Sequence, residues 1–354
     1  MLSITPVTVA DYEWVAVGRD MRSGMKAIIA IHNTTLGPAL GGCRMWPYAS
    51  EEEALKDVLR LARGMTYKAA VAGLPLGGGK AVIIGDSKKD KSEALLRAFG
   101  RFVHSLGGMY ITAEDVGTCQ QDMDLIRQET PHVVGVSPQF VGSGDPSPFT
   151  ALGVFYGMKA AAEFVWGSTD LKDKVVSVQG VGHVGYNLCK LLHKSGARLV
   201  VCDVYPDNAW RAAVDFGAQV VEPGDIYHRK VDIFAPCALG AVVNNSTVNR
   251  LKCMVVAGAA NNVLAADRHG DVLHKRGILY VPDYVINAGG LINVADELHG
   301  YNPERVTARV EGIYHTVREI LSRAHKVGRP PFRAAGDLAG ERIQQARQKQ
   351  VVEV

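Results

Sequence analysis

The sequence predicts a two-domain α/β protein: an N-terminal α/β domain, then a domain built on a parallel sheet with crossover helices. Three observations predict it. The chain has 354 residues, more than one hydrophobic core usually serves. From Thr150 onward, short β-rich runs alternate with helical stretches, the pattern of a parallel sheet. Between the two regions, residues 135–149 (GVSPQFVGSGDPSPF) are rich in Gly, Ser and Pro and read as an interdomain connection. A cleft between domains is where small-molecule sites tend to lie.

Taken in order, residues 26–32 and 81–85 read as strands of the first domain. Residues 51–64 (EEEALKDVLRLARG) put Leu55, Val58, Leu59 and Ala62 on one helical face, behind Ser50 as N-cap and acids in the first turn. The pattern does not give the strand order of this domain. The second domain opens with a helix to about Trp166, followed by strand-like runs at 174–179, 198–203, 231–235, 253–257 and 278–281. After Gly290 the chain reads as helical to its end. Its basic residues there (Arg342, Arg347, Lys349) are interleaved with Gln and read as solvated helix surface.

Bulk properties exclude several classes. The composition, 47% hydrophobic and 21% charged, is that of a globular chain. A formal net charge of +3 over this length is too small for a nucleic-acid binder. The six cysteines are scattered without a CxxC pair or a His at zinc spacing, so they read as reduced core residues and no metal site is expected. The N-terminus lacks the features of a signal peptide, and no run of 18 apolar residues occurs. A cytoplasmic protein is expected.

The first chemical signature is KVVSVQGVGHVGYNLCKLLHKSGARLVVCD, a strand, a GxGxxG turn, a helix and a second strand ending in an acid. The turn comprises Gly180, Val181, Gly182, His183, Val184 and Gly185. Gly180 permits the tight turn, Gly182 removes the side chain that would block a pyrophosphate, and Gly185 lets helix and strand pack closely. The helix N-terminus then favours the pyrophosphate charge. Asp203, 18 residues after Gly185, can accept hydrogen bonds from both ribose hydroxyls. Its carboxylate would repel a 2'-phosphate, which selects NAD over NADP. His183 reads as a helix-start residue rather than a catalyst.

The second is GLPLGGGKAVII, where three glycines lead into Lys80 and a strand. Such a run either lets backbone approach a ligand or forms a flexible turn. A phosphate-binding P-loop is excluded, because the required Gly and Ser/Thr positions hold Leu74 and Ala81. Lys68, in GMTYKAA just after the amphipathic helix, is the other lysine in apolar surroundings. One lysine can hold a substrate carboxylate while the other, with a pKa lowered by burial and its cationic neighbour, acts as base. The third signature is ITAEDVGT, which sets Glu114 and Asp115 at the end of an apolar strand-like run.

These motifs, with TTLGPALGGCRMWPY at 34–48, GDPSPFTALGV at 144–154, DIFAPCALG, VAGAANN and PDYVINAGGLINVADEL at 282–298, resemble the leucine, phenylalanine, valine and glutamate dehydrogenase family over nearly the whole chain. The resemblance implies Lys80 as base, Lys68 on the substrate carboxylate, Asp115 in proton transfer at the amine and Gly42 in a substrate loop. It further implies Asn261 near nicotinamide and substrate, in preference to Asn262, and Thr150 near the carboxamide. Leu40, Ala113, Leu291 and Val294 would line an apolar side-chain pocket, without a cation to pair a side-chain carboxylate. The implied reaction is NAD-dependent oxidative deamination of leucine and other branched-chain amino acids. Phenylalanine as substrate, or a silent NAD-binding regulatory protein, are the alternatives. The implied domains are 1–135 plus about 331–354 for substrate binding and oligomerisation, and 136–330 as a Rossmann NAD-binding domain. A homo-oligomer, the family's octamer, is implied as well. Two departures are His183, where many relatives carry Asn or Lys, and a tail shorter than in longer relatives.

Overall fold

The computed structural model describes residues 1–140 and 142–352. Val141 of the expected connection, and Glu353 and Val354 of the expected tail, lie outside the described residues. The chain forms two compact units, the first from residues 1–145, 293–303 and 339–354 and the second from 146–292 and 304–338. Among the described residues no helix is long and apolar enough to cross a membrane.

The first unit contains β1 (Leu2–Pro6), β2 (Trp14–Asp20), β3 (Met25–Asn33), β4 (Ala39–Trp46), α1 (Glu51–Val71), β5 (Gly77–Ile84), α2 (Glu93–His104), β6 (Tyr110–Glu114) and α3 (Gln120–Arg127). Its sheet runs β1-β2-β3-β5-β4-β6. Pairing is antiparallel from β1 to β3 and between β3 and β5, but parallel where β4 meets β5 and β6. Both faces are covered, which follows from the alternation of β3. Ile28 and Ala30 pack with Ala54, Val58 and Ala62 of α1, whereas Ala27, Ile29 and Ile31 pack with Phe99, Phe102 and Val103 of α2. The Ser50 hydroxyl accepts the Glu53 amide at 3.1 Å and caps α1 as its sequence predicts.

The second unit contains α4 (Ser147–Trp166), β7 (Val175–Gln179), α5 (His183–Lys194), β8 (Arg198–Cys202), α6 (Pro206–Phe216), β9 (Gln219–Val220), β10 (Ile233–Pro236), β11 (Val255–Val256), α7 (Asp267–Lys275), β12 (Leu279–Tyr280) and α8 (Asp283–Ile286). The sheet order β12-β11-β10-β7-β8-β9 is parallel throughout. From β7 the chain moves outward through β8 to β9, then returns to the other side of β7 with β10. Order therefore reverses beside β7, and the carboxyl ends of strands at such a reversal are where ligands bind in sheets of this kind. The helices α9 (Gly289–Asp296), α10 (Pro303–Glu311), α11 (Ile313–Lys326) and α12 (Pro331–Val352) follow.

Several expectations change. The helix expected at 51–64 runs on to Val71, because Gly64 within it meets no clash and the residues after it keep facing the sheet. The expected domain boundary at 135 lies instead at 145/146: the half-buried Glu297 carboxylate accepts the amides of Gly135 at 3.1 Å and Ser143 at 2.7 Å, which keeps that segment with the first unit. The tail does not belong to one unit. Phe332 packs with the second core, and Arg333 pairs with Asp271 at 2.9 Å. From Ala339 the helix joins the first unit. There Arg342 donates to the carbonyls of Ala70 and Val71 at 3.0 and 2.7 Å, so it is not solvated surface but a cap on the last turn of α1. Cys119 is exposed rather than a core residue, because it sits in the turn that starts α3.

Candidate active site

Lys80 is set by the sheet. It pairs with Ala30 across β3, and Ala30 faces α1, so the Lys80 side chain points to the same face. By the same alternation Leu40, Gly42 and Arg44 of β4 and Ala113 of β6 share that face. The glycines before Lys80 are not a flexible turn: Gly77 to Gly79 lie inside β5. A Cβ on Gly78 would stand 2.0 Å from the Thr66 amide nitrogen, so glycine there lets α1 lie directly on the strand. Gly42, expected in a loop, is likewise a strand residue. A Cβ there would come within 2.4 Å of the Glu114 carbonyl. Lys68 occupies the last turn of α1, half-buried, rather than following the helix.

The Lys80 ammonium, 7% exposed, lies 3.1 Å from Asp115 Oδ2, whose side chain is 17% exposed. Asp115 follows β6 directly and is fixed from two sides. Its amide donates to Thr118 Oγ1 at 2.9 Å, and that hydroxyl donates to the Cys43 carbonyl at 2.8 Å. Arg44 Nε donates to Asp115 Oδ2 at 3.0 Å. Burial pushes the Asp115 carboxyl up, but the charges of Lys80 and Arg44 outweigh it and hold it below its ordinary value. The group is a carboxylate at neutral pH. Leu40 and Ala113 are buried on the same face, and Val294 of α9 is buried within the first unit.

In the second unit, β7 is followed by Gly180 at φ +89°, the left-handed conformation that favours glycine. A Cβ on Gly185 would approach the Gly180 carbonyl to 2.0 Å, whereas one on Gly182 would meet nothing within 4 Å. The turn is thus packed at one glycine and open at the other, as a pyrophosphate above α5 requires. His183 is the first residue of α5 and exposed; Val181 and Val184 complete the turn. Asp203, just past β8, accepts the Val181 amide on Oδ2 at 2.7 Å and the Tyr205 amide on Oδ1 at 2.9 Å. One carboxylate thereby ties the end of β8 to the glycine turn, with a geometry that fits a dinucleotide.

Thr150 lies in the first turn of α4, its hydroxyl bonded to the Pro146 carbonyl at 3.1 Å. Asn261 is exposed, and its Oδ1 accepts from Asn287 Nδ2 at 2.8 Å, a contact that does not use the Asn261 amide nitrogen. Leu291 is buried within this unit. The first unit therefore gathers Lys68, Lys80, Asp115, Leu40, Gly42, Ala113 and Val294, and the second the glycine turn, Asp203, Thr150, Asn261 and Leu291. Sequence reasoning missed Arg44, Thr118 and Asn287. Arg44 was findable, because in a strand it shares parity with Gly42.

Comparison with known proteins agrees with this architecture. Residues 14–132 match the family model described as Glu/Leu/Phe/Val dehydrogenase, dimerisation domain. Residues 142–204 and 209–350 match that of Glutamate/Leucine/Phenylalanine/Valine dehydrogenase. A leucine dehydrogenase of Thermoactinomyces intermedius is 60% identical over 337 residues, 95% of this chain and 92% of that protein. A phenylalanine dehydrogenase of Caldalkalibacillus thermarum is 48% identical over 349 residues, 97% of this chain and 94% of that one. The crystal structure of L-tryptophan dehydrogenase from Nostoc punctiforme superposes with a TM-score of 0.84 at 49% identity, covering 95% of this chain and 97% of that chain. With both halves matched and this identity over nearly its full length, the chain belongs to the Glu/Leu/Phe/Val dehydrogenase family and is an amino-acid dehydrogenase.

Proposed function

We propose that the protein catalyses the NAD-dependent oxidative deamination of L-leucine and other branched-chain amino acids: amino acid, NAD and water give the 2-oxo acid, ammonium, NADH and a proton. The observation that carries this reading is the buried Lys80–Asp115 pair, 3.1 Å apart, on the face of the sheet that also carries apolar Leu40 and Ala113. The higher identity to the leucine dehydrogenase than to the phenylalanine dehydrogenase supports branched aliphatic substrates. So does the apolar character of Leu40, Ala113, Leu291 and Val294, the residues expected around the substrate side chain.

The glycine turn, the α5 N-terminus and Asp203 would hold NAD, which supplies a hydride acceptor for the substrate Cα. Lys68 pairs with the substrate carboxylate and orients Cα. Lys80 takes a proton from the water that attacks the resulting iminium carbon. Asp115, held ionised by its cationic neighbours, takes and returns protons at the substrate nitrogen. Asn261 offers its amide nitrogen to substrate and nicotinamide, and Thr150 its hydroxyl to the carboxamide. We also infer self-association, to the octamer of the family's pattern; the description of the N-terminal match as a dimerisation domain supports it.

Initial rates of NADH formation with L-leucine, L-valine and L-phenylalanine at matched concentrations test the assignment. The aliphatic pair should lead by roughly tenfold or more, the scale on which apolar pockets discriminate. A preference for phenylalanine overturns the substrate, and silence with all three overturns the enzyme.

A further inference from the structure

The acid–base pair is the inner end of a chain of alternating charges. Asp115 Oδ2 accepts both the Lys80 ammonium at 3.1 Å and Arg44 Nε at 3.0 Å. Oδ1 accepts no hydrogen bond among the described residues. Arg44, 19% exposed, reaches back to Asp57 Oδ2 of α1 at 2.9 Å. That same oxygen accepts the Tyr48 hydroxyl at 2.7 Å, and Asp57 Oδ1 accepts Arg60 at 2.9 Å. The series Lys80, Asp115, Arg44, Asp57, Arg60 leads from the buried strand to the solvent side of α1.

Two cations on one carboxylate oxygen repel each other, and the arrangement is favourable only while that carboxylate is charged. The proposed reaction requires Lys80 to be uncharged when it receives the water proton. At that moment burial favours protonation of Asp115, and Lys80 no longer opposes it. Arg44 does oppose it, because a guanidinium stays protonated throughout. Its fork also binds only one oxygen of Asp115 while Asp57 fixes the other end, so the carboxylate is pinned through Oδ2 and Oδ1 keeps its capacity to accept.

We propose that Arg44 is a positioning residue of this reaction: bridging Asp57 and Asp115, it keeps Asp115 ionised and directs Oδ1 to the substrate nitrogen while Lys80 is uncharged. This rests on the roles proposed above for Lys80 and Asp115. The other groups around Asp115 do not substitute for Arg44. From β4 and β6, Cys43 and Tyr110 are buried and pushed well up, hence neutral. Beyond Cys43, Lys91 and Asp122 pair with each other at 2.6 Å. Glu114 precedes Asp115 and adds no positive charge, and Lys68 of α1 is assigned to the substrate carboxylate.

The test is the pH dependence of kcat/KM for L-leucine in wild type, Arg44→Gln, Arg44→Lys, Asp57→Asn and Asp115→Asn, with NADH binding and thermal unfolding measured alongside. Lys80 and Asp115 interact closely enough to titrate as a pair, and the Arg44 charge disfavours every proton added to that pair, so its removal lets the pair take up protons at higher pH. Arg44→Gln should therefore move the acid limb up by about one pH unit, the lower end of what one close opposite charge does. Arg44→Lys keeps the charge but cannot span both acids; its kcat should fall with little movement of the limb. Asp57→Asn removes an anion that competes for Arg44 and should move the limb the opposite way, to lower pH. This variant also serves where Arg44→Gln does not fold. Acid limbs that superpose on wild type in both Arg44→Gln and Asp57→Asn overturn the inference, since a purely structural role changes stability without moving either. Near-normal turnover by Asp115→Asn instead overturns the underlying reading of Asp115, and the two failures are thereby told apart.

Discussion

Lys80 stands on a strand that is buried along most of its length, where an unpaired ammonium would be strongly disfavoured. Its partner is Asp115, which Arg44 still pairs when Lys80 is removed, so the loss falls on the chemistry more than on the charge balance. Lys80→Ala should accordingly lower kcat by about 100-fold or more, the range for loss of a general base, as measured by steady-state NADH formation. Lys68→Ala removes a contact made equally by bound substrate and transition state, so it should act mainly on KM for leucine. Near-normal kcat in the first variant, or an unchanged KM in the second, would reverse the two roles. At this scale the sequence was informative wherever a residue sits in a distinctive string, as Lys80 does in LPLGGGK. Parity with Gly42 offers Arg44 for the Lys80 face, but an arginine near a strand end looks like surface until the partners across the sheet are known. Its partners, Asp57 and Asp115, are 13 and 71 residues away, and no local pattern connects them.

Elements decide how closely those residues can approach. The glycines of β5 are buried, with Gly78 beneath Thr66 of α1, and Lys68 rides on the same helix two residues beyond Thr66. Gly78→Ala would force its methyl into the α1 backbone, which cannot yield as a flexible side chain would. We expect a loss of about 1 to 3 kcal/mol, the usual cost of overpacking, together with a raised KM for leucine as Lys68 is displaced. Thermal unfolding and KM measured on one preparation check this; a stable variant with unaltered KM would mean that α1 does not hold Lys68 in place. Glycine triplets read as turns because their conformational freedom is the feature visible in sequence, whereas close helix packing depends on a neighbour elsewhere in the chain. The same reason hid β1, β2 and β4, whose pairing is non-local. In the second unit, by contrast, the strand-helix alternation is local: β7, β8, β11 and β12 fall within runs legible beforehand, and β10 overruns its run, 231–235, by one residue.

On the scale of the molecule, the chain passes between its two units at 145/146, 292/293, 303/304 and 338/339. The first passage lies within the Gly/Pro-rich stretch 135–149, and the last lies inside α12, where the sequence shows no break. The excursion of 293–303 lies inside a region that reads as continuous helix, and composition carries no mark of it. Each unit nonetheless has its own core, and the ion pairs and hydrogen bonds described above for Lys80, Asp115 and Asp203 are internal to one unit. Lesions should therefore separate by unit. Lys80→Ala should bind NADH with wild-type affinity despite its lost turnover, as read by titration of NADH fluorescence. Asp203→Ser should retain deamination but lose cofactor selectivity, the NAD:NADP ratio of kcat/KM falling by about tenfold or more, the scale of a lost charge-assisted hydrogen bond. Because Asp203 also ties down the Val181 amide, its replacement should weaken NAD binding as well as admit NADP, so KM for NAD should rise in the same variant. An unchanged ratio would remove Asp203 from the ribose, and a Lys80→Ala protein unable to bind NADH would show that the two halves of the site do not act independently.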